Sequence, residues 1–500
     1  VDRELAPSGA EGDICRQFRK RKGHETSLFA YAPFQEEPTA LPCSQTKGKG
    51  GASMGKTHVS NEVGALKRAL VHRPGHETQR YPHGDFLQAF PLRPSCTDFD
   101  LEKAQTEHDR LTKVLAAHNV EVIEATDLLA ETLEASPEAK KALIDAYLAD
   151  SRIEGIELTE AARCYLESSS TSTQLVERLF EGIRYGDTDV VNADRFPLAA
   201  LSGNAFDPET FLASPLNTAF FVRDPLSVIG EGITLNHMYW HDRNREVDLL
   251  EAVARHHPDF AATQRWFDHR CSFHLEGGDI VNLNAHSVAV GLSSRTEGAA
   301  IDVLCRQLLW GRGESDIADI YVFFVPQMGN RLHLDTYVSR IDYDTFVIDP
   351  AIARNPSVLR VRAGRRKGNV RIDELSGSLK DIFRKALSIG PVRLMDFGSS
   401  AESRMEFEYG NGATGMLCLS PGNLCVSEEN VVANDLLDKA GMTLHPVSVQ
   451  EMTVGFGGPS SLCLPLWRED VQGMPPWTSE RTSEPSECAS TCPKQTSRKE

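Results

Sequence analysis

From residue 217 onward the chain is divided into short apolar runs, among them Gly232–Leu235, Ile280–Leu283, Val288–Leu292, Tyr321–Val325, Thr345–Ile348 and Met416–Leu419. Runs this short, bounded by turn residues, read as strands rather than helices. They alternate with helical patterns and with Gly- and Pro-bearing turns. A chain cut this way cannot bury its core in one long-stranded sheet or one bundle, so the class is α/β. The pattern leaves two arrangements open, a doubly wound sheet and a propeller-like set of small sheets.

The first half has a different texture. Ala69-Leu70-Val71-His72 reads as a short strand ending at the turn Arg73-Pro74-Gly75. Residues 100–118 follow as an amphipathic helix with Leu111, Val114 and Leu115 on one face, and Val120–Glu124 alternates like a strand. A helical insert is expected over about 127–190. Within it Ser136-Pro137-Glu138 supplies an N-cap, a first-turn proline and an acid facing the helix dipole. Leu143 with Tyr147 and Ile144 with Leu148 then repeat at i+4, and Leu158–Leu166 and Leu175–Ile183 read as two more short helices. Residues 1–55 and 471–500 mix charge, Pro, Gly and Ser without periodicity and are expected to be disordered, leaving one folded domain over 56–470.

The chain has 500 residues, with 71 Asp plus Glu against 53 Lys plus Arg, a formal charge of −18. Nucleic acid and anionic lipid both need a basic footprint, so neither is expected as a partner; a cationic small molecule suits this balance. No run of 18 uncharged apolar residues occurs, so no membrane span is expected. The eleven cysteines are scattered and none has CxxC spacing. That pattern reads as reduced cytoplasmic thiols, with no metal and no cofactor expected. The opening Val points to a partial or processed N-terminus, which leaves organelle targeting open.

Four polar clusters interrupt the apolar pattern: Phe221-Val222-Arg223-Asp224-Pro225, Leu275-Glu276-Gly277-Gly278-Asp279, Leu332-His333-Leu334-Asp335-Thr336, and Gly455 through Pro465. On a strand, His333 and Asp335 would share one face, and a carboxylate beside an imidazole favours its charged form. The two glycines after Glu276 let backbone approach closely.

The order of these motifs resembles that of the arginine deiminases, within the wider set of guanidine-modifying enzymes that includes amidinotransferases and dimethylarginine hydrolases. The resemblance runs over roughly residues 60–470. It also takes in Glu62-Val63-Gly64, Val71 through Gly75, Ile233 through Trp240 and Leu436 through Gly441. It implies a five-bladed, pseudo-symmetric α/β propeller of ββαβ units carrying an all-helical insertion. It implies that Asp224 and Asp335 grip a guanidinium, that Glu276 and His333 move protons, and that Asn217, Arg243 and Arg295 hold the amino-acid end. Asp279 is carried over with the substrate-binding set. Such a pocket makes chemical sense, since a planar cation with several donors needs paired acceptors and a free carboxylate needs Arg. The implied reaction converts L-arginine to L-citrulline and ammonia through a covalent amidino intermediate, with no cofactor. Homo-oligomerisation is left open.

In the family a Cys of the C-terminal loop attacks the guanidinium carbon. Aligning Gly457-Gly458 and Pro465-Leu466 without a gap puts Ser461 at that position and Phe456 where the loop has a substrate-binding Arg. A thiol is easily brought to thiolate, whereas a hydroxyl must lose its proton as it attacks. On a strand Cys463 would face the same side as Ser461, with its Cα about 6.5 Å away. Two readings follow: a deiminase turning over L-arginine, and a catalytically impaired protein that binds arginine or another guanidine compound. A third, a hydrolase for a guanidine without a carboxylate, is opposed by the retained Arg243 and Arg295.

Overall fold

The computed structural model describes residues 57–79, 99–189, 208–311, 315–329, 331–354, 356–398, 403–453 and 457–471. The two segments expected to be disordered lie outside these residues, apart from residue 471, and so does Phe456.

β1 (Leu66–Val71), α1 (Leu101–Ala117) and β2 (Glu121–Glu124) open the fold. Asp100 caps α1 by accepting from Lys103 N–H at 3.0 Å. Leu111 and Leu115, one turn apart, are fully buried. The helical insert follows as α2 (Ala125–Ala135), α3 (Pro137–Asp150), α4 (Ile156–Glu167) and α5 (Ser172–Glu181). Ser136 caps α3 as its sequence position predicts, accepting from Ala139 N–H at 3.1 Å. Leu143, Ile144, Tyr147 and Leu148 are all buried, and Tyr147 Oη donates to Leu179 O at 2.8 Å, fastening α3 to α5. Helix stops at Glu181, short of the expected bounds. Ile183, expected in the last helix, lies instead in β3 (Ile183–Arg184), which pairs with β4 (Phe211–Ala213) once the turn at Gly182 has ended α5.

A single unit then recurs. β5 (Leu226–Ile229) and β6 (Gly232–Leu235) form an antiparallel pair, α6 (Asn244–His256) crosses over, and β7 (Arg265–Phe267) returns parallel to β6. β8 (Ile280–Asn284), β9 (Ser287–Leu292), α7 (Gly298–Trp310) and β10 (Asp319–Phe324) repeat this connectivity. β11 (Val338–Arg340) and β12 (Thr345–Ile348) start it again. The chain next adds the hairpin β13 (Val358–Ala363) and β14 (Val370–Leu375) to the edge of β10. After α8 (Leu379–Leu387) it returns as β15 (Arg393–Met395), parallel to β12. β16 (Leu417–Ser420), β17 (Asn423–Ser427), α9 (Val431–Lys439) and β18 (Thr443–Val447) form a further copy. β19 (Leu464–Arg468) pairs antiparallel with β1, and β2 lies parallel to β1 after α1, which makes a fifth. The fold is thus α/β; among the described residues five sheets share one connectivity, and none of the sheets closes on itself.

The insert does not stand apart. Leu143, Leu175 and Leu179 share one apolar cluster with Val247 of α6 and with Leu226, Val228 and Ile233 of the β5–β6 pair. Each such fully buried aliphatic side chain contributes roughly 1.5–3 kcal/mol. No helix among the described residues is long and apolar enough to cross a membrane.

Candidate active site

Each of the four polar motifs lies on the turn that enters the first strand of one unit. Asp224 precedes β5, Glu276 and Asp279 precede β8, His333 and Asp335 precede β11, and Ser461 precedes β19. Repetition of the unit therefore gathers chemistry from separate parts of the chain.

Glu276, Asp224 and His333 form the centre. His333 Nε2 lies 2.7 Å from Glu276 Oε2, and its Nδ1 lies 3.9 Å from Asp224 Oδ1. Glu276 is fully buried; its Oε1 accepts from Tyr239 N–H at 2.9 Å, and Arg295 Nη1 stands 3.8 Å away. Asp224 Oδ2 accepts from Arg243 Nη1 at 3.0 Å, while the rest of that guanidinium is held by Glu246. Backbone joins the motifs too, since Gly277 N–H donates to Asp224 O at 2.9 Å. Arg295 lies over the rings of Tyr239 and Trp240, at 4.9 and 5.6 Å.

The electrostatics follow from this packing. Burial opposes charge on His333, but Asp224, the Glu276 hydrogen bond and Asp279 outweigh it and push the imidazole up to about 10. Burial likewise opposes charge on Glu276, yet the His333 bond and the charges of His333, Arg295 and Arg243 bring it down to about 2. Both shifts favour the charged pair, an imidazolium against a carboxylate. Asp224, Glu276 and His333 each bring one ligand-type atom within 4.8 Å of the others, a donor set that could hold a cation. Arg243 and Arg295 already bring positive charge to these carboxylates.

His333 and Asp335 do not lie on a strand, contrary to the sequence expectation. They belong to a 3-10 turn, Leu334–Thr336, with His333 at its N-cap. Asp279 braces this turn: its Oδ1 accepts from Leu334 N–H at 2.9 Å and its Oδ2 from Ser293 Oγ at 2.6 Å. The chain itself thus engages both oxygens of Asp279, and burial pushes that acid up to about 6. Gly278 is required here, because a Cβ on it would fall 2.7 Å from the His333 ring. Asp335 has a different setting. Its Oδ1 has no hydrogen-bond partner, and burial pushes it up to about 7. Asn217 is buried in the turn leading to Asp224, with Nδ2 unpaired.

The loop before β19 rests on a second turn. A Cβ on Gly458 would come within 2.3 Å of Gly415 O, so only glycine permits the approach. Ser460 N–H donates to Gly415 O at 3.1 Å, and Ser461 N–H closes a turn on Gly458 O at 3.0 Å. Thr414 Oγ1 donates to Thr336 O, tying this assembly to the His333 motif. Ser460 and Asp335 line one cavity with Glu62, Arg223, Arg340 and Arg468. Ser461 and Cys463 do not share a strand face either: Ser461 is in the turn, and Cys463 is fully buried beside Leu66 and Leu417. Burial pushes that thiol up to about 12, with Arg468 and Arg223 only partly opposing the shift.

A family model described as arginine deiminase matches residues 98–468. The chain belongs to the arginine deiminase family. It is 31% identical over 427 residues to an arginine deiminase of Treponema denticola, covering 84% of this chain and 100% of the relative. It is 32% identical over 425 residues to one of Clostridium perfringens, covering 83% and 98%. Among solved structures, an amidinotransferase of the saxitoxin pathway from Microseira wollei aligns with 14% identity and a TM-score of 0.44 over 84% of this chain and 99% of that one. A dimethylarginine dimethylaminohydrolase adduct aligns with 13% identity and a TM-score of 0.42 over 80% and 99%.

In this arginine deiminase family member, sequence reasoning missed several residues that shape the site. Arg223 lies inside a recognised motif, and Glu62 within a quoted stretch; the two meet at 3.3 Å in the cavity wall. Arg468 and Arg340 carried no signal, because each is a single basic residue in an apolar strand pattern. Glu246 is signalled only by its i+3 spacing from Arg243.

Proposed function

We propose that this protein binds L-arginine among Asp224, Glu276, His333 and Asp335, and that it is a deiminase-type hydrolase whose turnover to L-citrulline and ammonia is very low. The reading is supported by the His333–Glu276 contact and by the buried Cys463 thiol with its raised pKa, taken with the gapless alignment that assigns Ser461 to the nucleophile position. In the full reaction the nucleophile bonds to the guanidinium carbon, the C–N bond breaks, and ammonia leaves with a proton from His333. Water then gives a proton back to His333 as its oxygen bonds to the amidino carbon, and the bond to the nucleophile breaks. A serine hydroxyl must also give up its own proton. The carboxylates around His333 favour its imidazolium, which donates a proton more readily than it accepts one. Loss of the nucleophile from such a co-operating set costs on the order of a millionfold in turnover. The five repeated units suit a five-bladed propeller around this site, as the resemblance implies.

Purified protein with L-arginine tests this. Calorimetry is expected to show binding, a citrulline assay almost no product, and Ser461→Cys a rise in product. Phe456→Arg added to it should improve substrate binding further, without strict additivity because both residues sit in one loop. Brisk parent turnover that survives Ser461→Ala but is lost in Cys463→Ala would overturn the reading.

A further inference from the structure

Three side chains from three elements converge where the helical insert meets the β5–β7 unit. They are Asp150 at the end of α3, Asp248 on α6 and His269 in the turn after β7. One ligand-type atom of each lies within 4.8 Å of the others. Asp248 and His269 are buried, and Asp150 is half-buried at the rim, which gives an approach from solvent.

Two further observations set this cluster apart from ordinary acids. Asp248 is 3% exposed, and its Oδ2 has no hydrogen-bond partner. Its Oδ1 stands 4.0 Å from His269 Nδ1, too far for a hydrogen bond. Arg245, on the same helix, directs its guanidinium to Tyr147 Oη at 3.2 Å and Ser214 O at 2.6 Å. A buried carboxylate so placed is costly, and burial pushes Asp248 up to about 7. The second observation concerns the imidazole. His269 Nε2 is 3.1 Å from Glu251 Oε2, and Arg270 holds Glu251 in turn at 3.0 Å. The ring is therefore fixed by Nε2, and its Nδ1 faces Asp248. A histidine that donates to a carboxylate through its far nitrogen is the arrangement found at metal ligands.

We propose that Asp150, Asp248 and His269 bind a divalent transition-metal ion, Mn2+ or Zn2+, which joins the helical insert to the neighbouring ββαβ unit. Two carboxylates balance the ion's charge, the imidazole supplies the nitrogen donor such ions favour, and Glu251 orients the ring. Solvent completes the coordination.

The test uses the full chain, stripped with chelator and titrated with MnCl2 or ZnCl2. About one equivalent should bind, and melting should rise by about 3 °C or more at saturation. Asp150→Asn, a change at the half-buried rim, should remove most of that shift. Asp248→Asn should reverse sign with conditions: in chelator it melts at or above the parent, and with metal it melts below. Glu276→Gln, which disrupts the other acid–imidazole trio, should keep the full shift. The proposal is overturned if the parent binds no metal at about 1 mM and melts unchanged; His269 is then simply an imidazolium between acids. It is equally overturned if Asp150→Asn and Asp248→Asn both retain the shift, or if Glu276→Gln abolishes it.

Discussion

A single methyl group tests how His333 is held. Gly278→Ala would place a Cβ 2.7 Å from the imidazole ring, which must then move away from Glu276. Overpacking of this kind costs roughly 1–3 kcal/mol of folding stability, and displacing the ring should also weaken L-arginine binding as read by calorimetry. Unchanged affinity would remove His333 from the binding site. Titration gives a second handle. Asp335 is pushed up to about 7 in the folded chain, above its ordinary value of about 3.9. An acid shifted upward favours folding while protonated. That contribution is complete below about pH 4 and is lost as pH rises to about 7. The parent should therefore lose melting temperature relative to Asp335→Asn across this window; parallel curves would contradict the burial argument. His333, raised to about 10, contributes stability that is whole below about pH 6.5 and disappears as pH climbs through 10. The motif residues were legible because clustered charges, beside paired glycines in two of the four motifs, stand out in an apolar pattern. Arg468 was not, because nothing in a lone arginine announces two buried carbonyls waiting for it.

At the scale of elements, the helical insert obeys local rules closely enough for its stability to be dissected. Leu143 is 1% exposed in the core it shares with α6, so Leu143→Ala should cost roughly 2–5 kcal/mol in urea unfolding. Ser136→Ala removes the cap of α3 and should cost about 1 kcal/mol. A smaller effect of Leu143→Ala than of Ser136→Ala would show that the insert is loosely packed. These helices were readable because caps and i+4 spacing are written in neighbouring residues. The ββαβ repeat was not, because it resides in the direction of pairing, which distant partners decide. Burial of β5 and β6 illustrates this: all four residues of each strand are buried, so the alternation that would reveal a sheet face is absent. The turn at Leu334–Thr336 was misread as strand for a related reason. It is braced by Asp279, which lies 55 positions away.

At the scale of the whole molecule, Arg468 ties the last strand to two other parts of the chain. It is 1% exposed and donates to Gly64 O at 2.9 Å and to Cys418 O at 2.8 Å. Arg468→Leu would strand both carbonyls, at roughly 1–3 kcal/mol each, and should lower the urea midpoint correspondingly. β1 pairs with β19 on one side and β2 on the other, and the Arg468–Gly64 contact spans 404 positions. A ribosome delivers β1 and β2 well before β19. During synthesis the β5–β7 and β16–β18 units can each assemble from a continuous stretch, the two units between them are interleaved by the β13–β14 hairpin, and β1 meanwhile waits with an open edge. The opening unit of the fold is thus the last to be completed, and an interrupted synthesis yields a chain with an unsealed strand, the kind of edge that chaperones cover and aggregates recruit.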